Sequence, residues 1–310
     1  MRTSTKLLGY AVGVAVLAAG AFAVGGTVEP QRPATPVADH TAMTAPEVPA
    51  PAAHAAGPAS EALPGLATTA DGYTLVPASP VIETGQPHPF AFTISGPDGR
   101  PVTAFDVEHD KRMHLIVVRR DGAGFQHIHP EMAADGTWTV PLAAPLAGSY
   151  RAFADFTPTG GPSTTLGVDL SAAGAFTPTI PAPSRVSQVD GYTVELAGEL
   201  VPGAVSPVTL TVSRDGRPVT DLQPYLGAYG HLVALRTGDL AYLHVHPDSG
   251  ASAGPQIKFG TEVPSAGMYR LYLDFRHGDV VRTAEFAVAT DGSAAPAAPQ
   301  PAHDPAEPGH

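Results

Sequence analysis

The chain has 310 residues, 34 Pro, 33 Gly, no cysteine and a net charge of -12, with 43% of its residues hydrophobic. That length suits two domains that each bury a core, and the acidic balance argues against a nucleic-acid partner, which needs basic residues to displace counterions from phosphates. Without cysteine there can be no disulfide, thiolate metal site, Cys nucleophile, lipid-modified N-terminal Cys or thiolate-based blue-copper centre.

In chain order, Arg2 and Lys6 precede an apolar run from Leu7 to Gly26, which at roughly 20 residues is long enough to cross a bilayer as a helix. Residues 1–26 are predicted to be a signal anchor, with the positive charges holding the N-terminus in the cytoplasm and everything after it outside. Ala21-Phe22-Ala23 offers a small-x-small cleavage site, and cleavage there would give a secreted protein instead. Residues 27–70 are Ala/Pro-rich with no sustained period, an extended spacer, and residues 291–310 form a similar tail.

Between these segments the chain repeats itself. Asp71-Gly72-Tyr73-Thr74 recurs as Asp190-Gly191-Tyr192-Thr193, and Asp98 to Thr103 recurs as Asp215 to Thr220. The second offset runs on without a gap through His114/His231, His127/His244, His129/His246 and Pro130/Pro247. Tyr150-Arg151 and Asp155-Phe156 then match Tyr269-Arg270 and Asp274-Phe275. The prediction is a duplicated domain, 71–178 and 190–290, joined by a linker at 179–189, with small length changes taken up in loops.

Each repeat alternates short Val/Thr/Leu/Phe-rich runs with Gly, Pro and Asp-Gly breaks and shows no long helical period. The fold class is therefore all-β: two tandem antiparallel β-sandwiches, immunoglobulin-like or cupredoxin-like. In the first repeat, strands are expected near residues 73–77, 89–95, 113–120, 123–129, 136–140, 149–156 and 165–170.

The histidines carry the chemistry. Asp121-Gly122 between two apolar runs predicts a two-residue hairpin loop. Pairing Arg120 with Ala123 then sets His114 opposite His129 and Ile116 opposite His127, so three imidazoles share one face. In the second repeat, a loop at Gly238-Asp239 with Thr237 opposite Leu240 sets His231 opposite His246 and Val233 opposite His244. Opposed residues have Cβ atoms about 5 Å apart, so each trio can converge on one ion with bonds of about 2 Å. Neutral imidazoles suit copper, Cu(I) or Cu(II), with zinc as the second choice. Weaker ligand candidates in the first repeat are His109, Met113 and Met132. Thioether sulfur there would favour Cu(I), and the second repeat has no counterpart to it. Asp155 and Asp274 are expected to form ion pairs or loop caps beside Arg151 and Arg270.

The segments MHLIVVRRDGAGFQHIHP, GTWTVPLAAPLAGSYRAFADF and YLGAYGHLVALRTGDLAYLHVHP resemble those of exported bacterial proteins described as heavy-metal-binding. The resemblance implies envelope metal handling: a membrane-tethered chaperone, buffer or sensor that takes a metal ion and passes it to another envelope metal-handling protein. An adhesive or structural sandwich without metal is the alternative. A cupin-like metalloenzyme fits less well. Gly238 and the His-x-His after it match the start of the first cupin motif, yet the expected Glu is missing from both repeats, so no enzyme activity is expected.

Overall fold

The computed structural model describes residues 63–243, 245–247 and 252–290. The expected membrane segment 1–26, most of the spacer 27–70, the tail 291–310 and His244 lie outside the described residues. Among the described residues, no helix is long and apolar enough to cross a membrane.

All regular structure described is strand. The first repeat holds β1 (Thr69–Ala70), β2 (Tyr73–Pro77), β3 (Val81–Ile82), β4 (His88–Ser95), β5 (His114–Arg119), β6 (Gln126–Ile128), β7 (Glu131–Met132), β8 (Trp138–Leu142), β9 (Gly148–Phe156) and β10 (Thr164–Ala172). The second holds β11 (Val186–Val189), β12 (Tyr192–Ala197), β13 (Val205–Arg214), β14 (Arg217–Pro218), β15 (His231–Arg236), β16 (Tyr242–Leu243), β17 (Val245–Pro247), β18 (Gln256–Glu262), β19 (Met268–His277) and β20 (Val280–Ala289). Two expected boundaries move. The end of the spacer folds, because β1 pairs with β2 and Arg151 grips the carbonyls of Gly65 and Leu66. The end of the expected linker becomes β11.

In the first repeat the sheets run β1-β2-β4-β8-β7 and β3-β10-β9-β5-β6; in the second they run β11-β12-β13-β18-β17 and β16-β15-β19-β20. This is the immunoglobulin-type division of strands rather than the cupredoxin one. A tyrosine near the start of the sixth main strand supports it in both copies. Tyr150 donates its hydroxyl to the Leu146 carbonyl, and Tyr269 donates to that of Ser265, the corner that marks this class.

Alternation along β5 decides how the repeats meet. All six of its residues are buried. Leu115 and Val117 point into the first sandwich beside Trp138 and Phe156. Ile116 and Val118 point the other way and join Phe153, Val233, Leu235, Leu240 and Tyr272 in a separate cluster drawn from both repeats. A sheet wet on one face would show polar residues there, so the apolar outer face of β5 marks a covered surface. The cluster repeats the duplication: Ile116 corresponds to Val233, Val118 to Leu235 and Phe153 to Tyr272. Phe125 stacks on Tyr272 with ring centroids 3.9 Å apart, and Phe153 meets Tyr242, the residue equivalent to Phe125, at 5.7 Å. Gly122 sits at this seam with φ +83° and accepts the Tyr272 hydroxyl on its carbonyl. A Cβ there would press on the Arg270 and Tyr272 side chains, so the position favours glycine on two counts.

Because these side chains are fully buried between the repeats, Ile116→Ala and Leu235→Ala should each lower stability by about 2–5 kcal/mol, read from urea unfolding of the purified protein. Losses below about 0.5 kcal/mol, the level of surface substitutions, would contradict a buried seam.

Candidate metal centre

The β5–β6 hairpin reaches the predicted register by a different turn. Leu115 pairs with Ile128, Ile116 with His127 and Val117 with Gln126, as expected. At the turn, however, the Arg119 amide donates to the Ala123 carbonyl and the Gly122 amide donates to that of Arg119. The loop is therefore one residue longer than predicted, and an extra residue at Gly124–Phe125 restores the register as a bulge. Asp121 explains the change. Its carboxylate is held by Arg119 and by the amides of Ala123 and Thr179, an Asx-type turn that does not need positive φ at Asp121. The Asp-Gly pairs at 71–72 and 190–191 do take positive φ at both residues.

The register brings three rings of the first repeat together. Ring centroids of His114 lie 5.3 Å from His127 and 5.0 Å from His129, and those of His127 and His129 lie 4.9 Å apart. One ring nitrogen from each lies within 4.8 Å of the others. The hairpin end away from the turn is thus a convergence point, as the strand arithmetic required.

Hydrogen bonds fix which nitrogens face inward. His114 Nε2 donates to the backbone carbonyl of Glu108 at 3.1 Å, which can only accept, so the neutral ring has its lone pair on Nδ1. His127 Nδ1 donates at 2.8 Å to the carboxylate of Asp274, a residue of β19 in the second repeat, so its lone pair lies on Nε2. His114 Nδ1 and His127 Nε2 stand 3.1 Å apart. With the outer nitrogens of both rings committed to acceptors, the two inner nitrogens face each other and need a cation or a proton between them. His129 Nε2 is buried without a hydrogen-bond partner among the described residues, a costly state for a polar atom.

The chemistry of this donor set fits a metal ion. Two nitrogens bound to one tetrahedral ion by bonds of 2.0–2.1 Å stand about 3.3 Å apart, close to the 3.1 Å between His114 and His127. The Asp274 carboxylate behind His127 has the place of a second-layer support that orients a ligating imidazole. Burial and the neighbouring imidazoles push His114 down to about 4 and His129 down to about 3, so both rings are neutral, and able to donate lone pairs, at neutral pH. A cavity of about 600 Å³ between the sandwiches is lined by His109, His114, His127, His231 and Asp155.

The remaining candidates divide. His109, exposed at the tip of the tight turn Glu108–Lys111 with φ +46°, lies 6.1 Å from the His114 ring and 5.3 Å from that of His231. Met113 is 1% exposed inside the first sandwich core and Met132 packs on the same core. Neither thioether belongs with the histidines, because both side chains are spent on core packing, and the sulfur argument for Cu(I) goes with them. The expected second trio is described only in part. Ala234 pairs with Leu243 and Leu235 with Tyr242 in the predicted register, but β17 then crosses to the other sheet, where His246 pairs with Gly260 instead of lying opposite His231. His244 and the His246 side chain lie outside what is described. His231 is held as His114 is, with Nε2 donating to the carbonyl six residues earlier, that of Tyr225, and its ring lies 6.3 Å from that of His127. The two repeats therefore contribute to one neighbourhood rather than to two remote sites.

Asp274, expected to form an ion pair or loop cap, pairs with a histidine of the other repeat. Arg270 pairs with Glu285 and Arg151 with Asp169, while Asp274 takes the Thr283 hydroxyl and the His127 ring. Alternation could have found it, since His231 pairs with Asp274 across β15 and β19 as His114 pairs with Asp155 across β5 and β9.

Fold and site together define a tandem immunoglobulin-like sandwich protein with a histidine cluster at the seam. Residues 68–173 and 187–292 match the family described as a domain of unknown function (DUF8832), and as these two matches span more than half of the chain, the protein belongs to that family. The description assigns no metal, so membership in a heavy-metal-binding family is not shown. No curated protein matches the chain. Solved structures similar to it include the adhesin InvE of Yersinia pseudotuberculosis, at 14% identity over 71% of this chain and 58% of that one, with a TM-score of 0.22. Another is the Escherichia coli adhesin FdeC, at 12% identity over 75% of this chain and 66% of that one, with a TM-score of 0.25. The chain thus spans less than two thirds of either structure, and at such TM-scores the likeness carries no inference about activity.

The depressed histidines predict a pH effect on the metal-free protein. A group whose folded pKa lies below its unfolded value of about 6.5 makes the unfolded state bind more protons, so stability falls as pH drops from about 6.5 toward 4. Urea midpoints measured across that range in chelator should decline, and His114→Gln/His129→Gln should flatten the decline. An equal slope in wild type and variant would refute the assignment.

Proposed function

We propose that the protein is an exported, membrane-tethered metal-binding module that takes one ion on His114, His127 and His129 and acts in the envelope as a chaperone, buffer or sensor for it. The observation that carries this reading is the approach of His114 Nδ1 and His127 Nε2 to 3.1 Å beside the unpartnered Nε2 of His129. Three imidazoles without sulfur suit Cu(II) and Zn(II) better than Cu(I). His231, His244 and His246, related to the first trio by the duplication, are the proposed ligands that the second repeat adds to this neighbourhood, and His109 is the candidate supplementary ligand. The membrane segment at 1–26 places the sandwiches outside the cytoplasm, with a second envelope metal-handling protein as the recipient.

The second reading is an adhesive or structural sandwich without metal, the role that the names of the similar adhesin structures would suggest. Titration with Cu(II), Zn(II) and Cu(I) against a competing chelator separates the two. Metal binding predicts that His127→Ala/His129→Ala weakens affinity more than about 100-fold, beyond the 10–100-fold expected for loss of a supporting residue. It also predicts that the ion is held at about pH 5, because His114 and His129 keep their lone pairs well below the usual imidazole range. A wild type that purifies metal-free, binds none of these ions and keeps its stability when the histidines are replaced would establish the adhesive reading instead.

A further inference from the structure

We infer that Asp274, supplied by the second repeat, is the positioning residue for the metal site of the first, so that ion binding in one sandwich is coupled to its docking on the other. The inference rests on the metal reading above and deepens it, since nothing in the sequence motif of the first repeat calls for a residue so far along the chain.

The hydrogen bond from His127 Nδ1 to Asp274 crosses the seam at 2.8 Å, and both side chains are 5% exposed. Asp274 is itself anchored: Thr283 on β20 donates to its other carboxylate oxygen, and the β15–β19 and β19–β20 ladders flank it on both sides. Its carboxylate does two things to His127. It holds the proton on Nδ1, which leaves Nε2 bare toward His114 and His129, and it fixes the ring plane. Both are properties a ligand must have before an ion arrives, and supporting groups of this kind set affinity as well as orientation. Within the first repeat, no described residue does this for His127. Asp155, the counterpart of Asp274, takes the Thr165 hydroxyl just as Asp274 takes that of Thr283, so the anchoring of this carboxylate is built into both copies of the fold.

Coupling must be reciprocal. If docking prepares His127, the bound ion strengthens the docked arrangement, and β19 should feel an ion that it does not itself ligate. The module then reports occupancy through the contact between its sandwiches, which suits a sensor or a carrier that releases its ion when a recipient parts them.

The experiment uses the full-length protein with Zn(II) and Cu(II). Asp274→Asn should lower affinity about 10–100-fold, Asp274→Glu should recover part of the loss, and Asp169→Asn, which touches only the Arg120 and Arg151 ion pairs, should bind like wild type. In nitrogen-15 spectra of the metal-free protein, His127 should carry its proton on Nδ1 in wild type and show mixed tautomers in Asp274→Asn. Saturating zinc should slow hydrogen exchange of the peptide spanning Met268–His277 in wild type, and Asp274→Asn should lose most of that slowing. Wild-type affinity in Asp274→Asn, or exchange in that peptide that ignores the ion, overturns the coupling while leaving metal binding intact. Absence of binding by wild type overturns both.

Discussion

The site depends on a hydrogen bond that crosses between the two halves of the molecule: His127 of the first repeat gives its Nδ1 proton to Asp274 of the second. From it follow the tautomer of His127 and the direction of its free lone pair. Because His114 is fixed in the complementary sense by the Glu108 carbonyl, the two rings face each other across 3.1 Å with room for one proton or one cation between them. A single sandwich would place the trio on a sheet face open to water, where each ring could turn to find its own partner. Docked against the second sandwich, the rings lose that freedom, and burial together with their crowding lowers the proton affinity of His114 and His129. The proposed metal-binding role rests on this loss of freedom more than on the presence of histidine.

The duplication makes the docking possible. Each repeat turns the same face outward, with apolar residues at one end of its hairpin and histidine at the other, and the two faces meet. Ile116, Val118 and Phe153 find Val233, Leu235 and Tyr272, and burial of such side chains is worth about 1.5–3 kcal/mol apiece. That apolar seam is what can hold titratable rings out of water at neutral pH. Polar groups at its edge, such as the Gly122 carbonyl under the Tyr272 hydroxyl, fix the alignment of one sandwich on the other.

Much of this was legible in the sequence. Period-two patterning and Gly/Pro/Asp-Gly breaks located the main strands of the first repeat within a few residues, and the internal match of His114 with His231 exposed the duplication. The hairpin register came out right even though its turn did not, because the side chain of Asp121 built a longer loop and a bulge removed the difference. What was not legible depended on contacts between repeats. Six successive buried residues in β5 belong to two cores, and pattern alone does not say what covers the second face. Asp274 reads from sequence as a local ion pair or loop cap, whereas the ring it holds is 147 residues away. Met113 and Met132 were attractive as soft ligands by proximity along the chain, but alternation turns both into the sandwich core.

Crystals of the zinc-loaded protein, measured at the zinc absorption edge, test the metal site directly. An anomalous peak within about 2.0–2.1 Å of His114 Nδ1, His127 Nε2 and a His129 ring nitrogen, with the Asp274 carboxylate still on His127 Nδ1, is the predicted result. A peak elsewhere, or none among these rings at saturating zinc, would contradict it.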